Sequence, residues 1–158
     1  MILPISRNND IIFLQRFDGS LLESIQPLQV CHGAGGMAST RGRPMIFGGV
    51  MRAPRTEILD MTTLEWTVGP MQTIYPSMGN YWGSFSIIQR EEDIFYAVGG
   101  NLRYGGVVTT IAKYDAGVWT HVGDLLSART MAGLVFNGNE LLIIGGSSPD
   151  EFLSGPER

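Results

Sequence analysis

Three apolar runs in this chain each end on a pair of glycines: PMIFGG at 44–49, IFYAVGG at 94–100 and LLIIGG at 141–146. The pairs, Gly48-Gly49, Gly99-Gly100 and Gly145-Gly146, lie 51 and then 46 residues apart. Recurrence at a period near 50 residues marks an architecture of repeated supersecondary units, which constrains the fold more tightly than composition does. An apolar strand that stops on two glycines needs a turn, or an approach of neighbouring backbone, that a Cβ atom would forbid. Glycine is accordingly abundant, 21 of 158 residues, about twice the usual share of roughly 7%.

The surroundings of the pairs repeat as well. The first two are followed by a variable turn, then TEILDM (56–61) or TIAKYDAG (110–117), then Trp66 or Trp119. Each unit has room for four short strands. An ungapped shift of 97 residues places FDGSLLESIQPL (17–28) on YDAGVWTHVGDL (114–125), His32 on Arg129 and Gly48-Gly49 on Gly145-Gly146. Leu22 stands in place of the tryptophan in the earlier copy. Asn137-Gly138, between two apolar runs, signals a hairpin joining the first and second strands of a unit, and QREEDI (89–94) makes the same connection with charges.

Together these marks resemble the kelch repeat, a four-stranded antiparallel blade of a β-propeller. The shared features are the strand ending in Gly-Gly, the Tyr114-Asp115 pair and the spaced tryptophans Trp66 and Trp119, with Arg129 opening a unit. Departures are Leu22 for Trp, Leu59-Asp60 for Tyr-Asp and His32 where Arg is usual. The resemblance implies an all-β fold divided into a leader (1–10), a half blade of strands three and four (11–29), blades at 30–72 and 73–126, a half blade of strands one and two (127–146) and a tail (147–158). Glycine pairs then sit where inner strands crowd the propeller axis, and the tryptophans fill wedges between blades.

Three blade-equivalents fall short of the four to eight that close a propeller, so the expectation is a propeller segment incomplete as a single chain. Two arrangements repair it. The favoured one is that the sequence is a piece of a longer polypeptide; the other is a twofold homodimer in which half blades pair to complete six.

In a kelch-type blade the loops after strands two and four emerge on one side. Here those are roughly 50–55, 101–106 and 147–150, with 30–36, 72–81 and 126–130. They carry Arg52, Arg55, Arg103 and Arg129 among Tyr75, Tyr81 and Tyr104, while the opposite side is mostly acidic, with Arg41, Arg43 and Arg90 as exceptions. Guanidinium groups grip carboxylates and tyrosines supply contact area at low entropy cost. The expected function is a protein-interaction module or scaffold whose partner is an acidic peptide or loop. Solvated loop charges are the equal alternative.

Other classes are disfavoured. A net charge of −4, with Lys113 the single lysine, lacks the basic excess that nucleic acid attracts. Cys31 is the single cysteine, so no intrachain disulfide or cysteine zinc site forms, and a soluble, cytoplasmic protein without a membrane span is expected. Some kelch-like propellers are carbohydrate oxidases or sugar isomerases, yet a copper radical site needs more than His32, His121, Cys31 and five tyrosines offer. Cys31-His32 and the Glu91-Glu92-Asp93 cluster read as structural or solvated rather than catalytic. No catalytic residue, metal or cofactor is assigned.

Overall fold

The computed structural model describes residues 2–7, 11–17, 22–25, 28–29, 32–49, 56–71, 73–74, 82–102, 106–148 and 156–157, the first three of these stretches and the last as backbone. Every regular element among them is a β-strand. The first sheet holds β1 (Ile2–Arg7), β2 (Ile11–Phe17) and β3 (Leu22–Ile25). The second is a four-stranded antiparallel meander of β4 (Gly36–Thr40), β5 (Arg43–Phe47), β6 (Glu57–Leu59) and β7 (Trp66–Val68). Next in the chain comes β8 (Trp82–Gly83), which belongs to a small sheet with β11 (Asn101–Leu102) and β12 (Gly106–Val107). The third large sheet runs β9 (Ser86–Glu91), β10 (Ile94–Val98), β13 (Thr110–Asp115) and β14 (Val118–Asp124). The fourth holds β15 (Gly133–Asn137), β16 (Glu140–Ile144) and β17 (Pro156–Glu157).

The all-β class therefore stands as read, and two of the sheets are four-stranded and antiparallel. Both ends need correction. Residues 1–10, read as a leader, carry β1, and the tail returns through β17, so each terminal sheet has three strands. Pro4 and Pro156 disguise these segments, but both strands lie at sheet edges, where a missing N–H costs no ladder bond. Hairpins form where turn chemistry places them. Arg41-Gly42 links Thr40 to Arg43 with both φ values positive, 49° and 69°, the two-residue geometry that matches strand twist. Glu92-Asp93 and Ala116-Gly117 close the next two. The expected Asn137-Gly138 turn falls one residue later, on Gly138-Asn139, since Asn137 still pairs with Glu140.

Successive units pack side by side, with the first strands β4, β9 and β15 as neighbours. Met45 and Phe47 of β5, together with Ile58, meet Phe95, Ala97, Ala112, Tyr114 and Trp119 of the third sheet in one buried cluster. Trp119 stands edge-on to Phe47 at 4.8 Å between ring centroids, filling the wedge between sheets. Trp66 closes a second cluster with Leu28, Ile46 and Leu59, and Val98, Leu125 and Ile143 join the third sheet to the fourth. Each aromatic ring of this size buries enough apolar area to dominate its seam. Polar ties reinforce them: the Gln89 side-chain amide donates to Ser39 O and accepts from Ser39 N, both at 3.0 Å, in place of a missing ladder partner.

Candidate interaction surface and the clamp beneath it

The three glycine pairs adopt one backbone conformation, with φ of 65° and 101°, 64° and 102°, and 66° and 94°. Residue types other than glycine rarely enter this region. Their packing is as restrictive: a Cβ on Gly99 would stand 2.1 Å from Arg129 O, and one on Gly49 2.6 Å from the His32 carbonyl carbon. The first two pairs thus press against a neighbouring unit, Gly48 on Trp82 O and Gly99 on Arg129 O, while Gly146 packs on Thr130 and Ala132 of its own unit.

The carbonyl of the first glycine in each pair is gripped by a different side chain. His32 Nδ1 lies 2.7 Å from Gly48 O, Trp82 Nε1 donates to Gly99 O at 2.8 Å, and Arg129 Nη1 donates to Gly145 O at 3.0 Å. These donors precede their glycines by 16, 17 and 16 residues. Two residues beyond each donor, Ala34, Ser84 and Met131 take positive φ values of 57°, 55° and 55°. Their backbones form a belt across the units: Ser84 N–H donates to Ala34 O and Met131 N–H to Ser84 O. Histidine, tryptophan and arginine are interchangeable here because the carbonyl asks only for an N–H at the right reach.

Arg129 is corrected by this arrangement. Expected among the partner-binding arginines, it is 2% exposed, with Nε also donating to Ser127 O, and burial draws its pKa below the ordinary arginine value. It holds the connection rather than presenting a free guanidinium. His32 is likewise buried, with Nε2 3.2 Å from Glu57 Oε1; Glu57 also accepts from Gln29 N–H. The two ring nitrogens of His32 thus face two acceptors, Gly48 O and the Glu57 carboxylate.

Trp66, Trp119 and Tyr114 are 5%, 5% and 2% exposed and serve the seams; Tyr114 stacks on Phe95 at 4.6 Å. Asp115 pairs with Lys113 at 2.6 Å, while Asp60, at the matching place in the second sheet, caps its turn by accepting from Thr62 and Thr63 N–H. Those two amides hold the Asp60 carboxyl below its ordinary pKa. His121 is exposed on β14 beside Asp124, at 3.1 Å. Among the described residues no three His, Cys, Asp or Glu side chains converge as metal ligands.

Arg52, Arg55, Tyr75, Tyr81, Arg103 and Tyr104 lie outside the described residues. In the connection from β14 to β15, Leu126 is 90% and Met131 72% exposed, the highest values of the large apolar residues described. Sequence reading passed over both because single apolar residues in loops carry no pattern. It passed over Trp82 too, which counting back 16 or 17 residues from each glycine pair would have found.

No family model matches the chain, and no curated protein matches it. Among the described residues no helix is long and apolar enough to cross a membrane.

Proposed function

We propose that the four sheets other than the small β8-β11-β12 sheet are blades of a kelch-type β-propeller and that the chain acts as a protein-interaction module, binding a partner peptide or loop on the side formed by the loops after the second strands and between units. The observation that carries this reading is the exposed pair Leu126 and Met131. They flank a backbone fixed by the Arg129 clamp and the belt bond from Met131 to Ser84. Apolar anchors on a rigid frame suit partner binding, because little order is lost on association. Arg52, Arg55 and Arg103, with Tyr75, Tyr81 and Tyr104, supply the proposed preference for an acidic partner.

The test is peptide selection against the purified chain, with Leu126→Ser/Met131→Gly as the comparison. Glycine suits the positive φ of residue 131, so the variant keeps its fold. Loss of two buried apolar anchors is worth about 3 kcal/mol or more, upwards of a hundredfold in affinity. Selected peptides that bind both proteins equally, or a selection that enriches none, would reject the reading.

A second reading concerns self-association. In the third sheet Val98 is buried in the seam with the fourth sheet, where Tyr96 also packs. The matching outward face of the fourth sheet leaves Val135 and Ile144 each 45% exposed. A second copy or a further blade is proposed to cover it, and light scattering after size exclusion distinguishes a dimer from a monomer.

A further inference from the structure

A cleft of about 380 Å³ opens along the seam between the second and third sheets, at the end bearing their hairpin turns. Its walls include Arg41, Arg43, Ile58, Pro70, Tyr114 and Gly117. The volume falls in the range of small-molecule sites. This is the side that is otherwise acidic in sequence, where Arg41 and Arg43 stand as exceptions.

Three observations make the cleft more than a packing gap. Arg43 is half-buried and lies on the strand face that carries Met45 and Phe47 toward the third sheet, yet its guanidinium forms no hydrogen bond or ion pair among the described residues. It lowers the pKa of Asp60 through its charge, but Asp60 Oδ1 is already engaged by the Thr62 and Thr63 amides. Arg41 is only loosely held, with Nε 3.8 Å from Asp93 Oδ2 and its side chain 71% exposed. Tyr114 is 2% exposed and its ring is fixed by Phe95 and Trp119, but its hydroxyl has no hydrogen-bond partner among the described residues. The Tyr114 hydroxyl, the half-buried Arg43 and the loosely held Arg41 thus line one cleft with donors that a planar acceptor can meet.

We propose that this seam binds a small organic carboxylate whose apolar body rests on Ile58 and Pro70 while its oxygens meet Arg43, Arg41 and the Tyr114 hydroxyl. A planar carboxylate matches the guanidinium fork, and a chain of net charge −4 has no general attraction for anions, so binding must come from the local set. The site is separate from the interaction surface and does not depend on it.

The experiment is an NMR titration of the full chain with phenylacetate, alongside phenylacetamide and inorganic phosphate. Saturable shifts centred on the Gly42 and Gly117 amides are expected with phenylacetate, at least tenfold weaker with the amide, which lacks the charge. Arg43→Gln should weaken phenylacetate about tenfold or more and Tyr114→Phe by severalfold. Both variants should melt with the wild type, because neither removes a bond within the described protein. Equal affinity for the amide or for phosphate, shifts centred elsewhere, or no saturable binding up to the solubility of the ligand would overturn the proposal.

Discussion

Replacing Gly99 by alanine tests why the repeated strands end on glycine. Two costs coincide there. The residue sits at φ +64°, which for an L-residue costs about 1–2 kcal/mol. Its new methyl would stand 2.1 Å from Arg129 O, a rigid backbone atom that accepts from Gly100 N–H at 2.8 Å. Relieving that clash means moving the next unit's opening and weakening the bond, for about 2–3 kcal/mol more. Gly138→Ala separates the terms: φ is +60°, but nothing lies within 4 Å of the added Cβ. Urea denaturation should therefore show Gly138→Ala losing about 1 kcal/mol and Gly99→Ala about 3–5 kcal/mol, a large share of the roughly 5–15 kcal/mol that holds most domains folded. Equal losses in the two variants would refute the claim that close approach between units sets the glycine requirement.

Other seams give further outcomes. Trp82→Phe keeps the ring but removes the donor to Gly99 O, and should cost about 1–3 kcal/mol by chemical denaturation. His32→Ala removes one partner of the buried Glu57 carboxylate and the ring nitrogen at Gly48 O, for a loss of about 3 kcal/mol or more, whereas exposed His121→Ala should change the melt little. Trp119→Ala empties the wedge between the second and third sheets and should cost about 3–5 kcal/mol. The Asp124 carboxyl is held below its ordinary pKa, first by the Thr109 hydroxyl and then by His121. A depressed carboxylate stabilises fully above its unfolded pKa, so its small contribution should persist at neutral pH and fade as pH falls below about 4. Asp124→Ala should accordingly differ from the wild type at pH 7 and converge with it in acid.

Much of the fold was legible because its signals are local. The glycine pairs and the 97-residue register survive into geometry: His32 and Arg129 grip Gly48 and Gly145, positions that the same shift superposes. Trp82 was hidden because the clamp conserves a function, N–H to carbonyl, while changing the residue that performs it. β1 was hidden by Pro4, tolerated at an edge that sequence cannot see. Arg129 reads as a binding arginine because it opens a unit, where the kelch resemblance places one, and only the fold shows that its guanidinium turns inward onto Gly145 O. The cleft could not be read at all, since Arg43 and Tyr114 meet only when two sheets pack side by side.

Amide hydrogen exchange tests the central claim, that glycine pairs and belt residues join successive units, most directly. Gly49 N–H donates to Trp82 O, Gly100 N–H to Arg129 O and Ser84 N–H to Ala34 O, all at 2.8 Å and all outside the strand ladders of the large sheets. If these bonds join the units, the three amides exchange as slowly as those of β10, because opening them requires separating packed sheets. Exchange at the rate of an exposed loop, such as the Gly138 turn, would contradict the account.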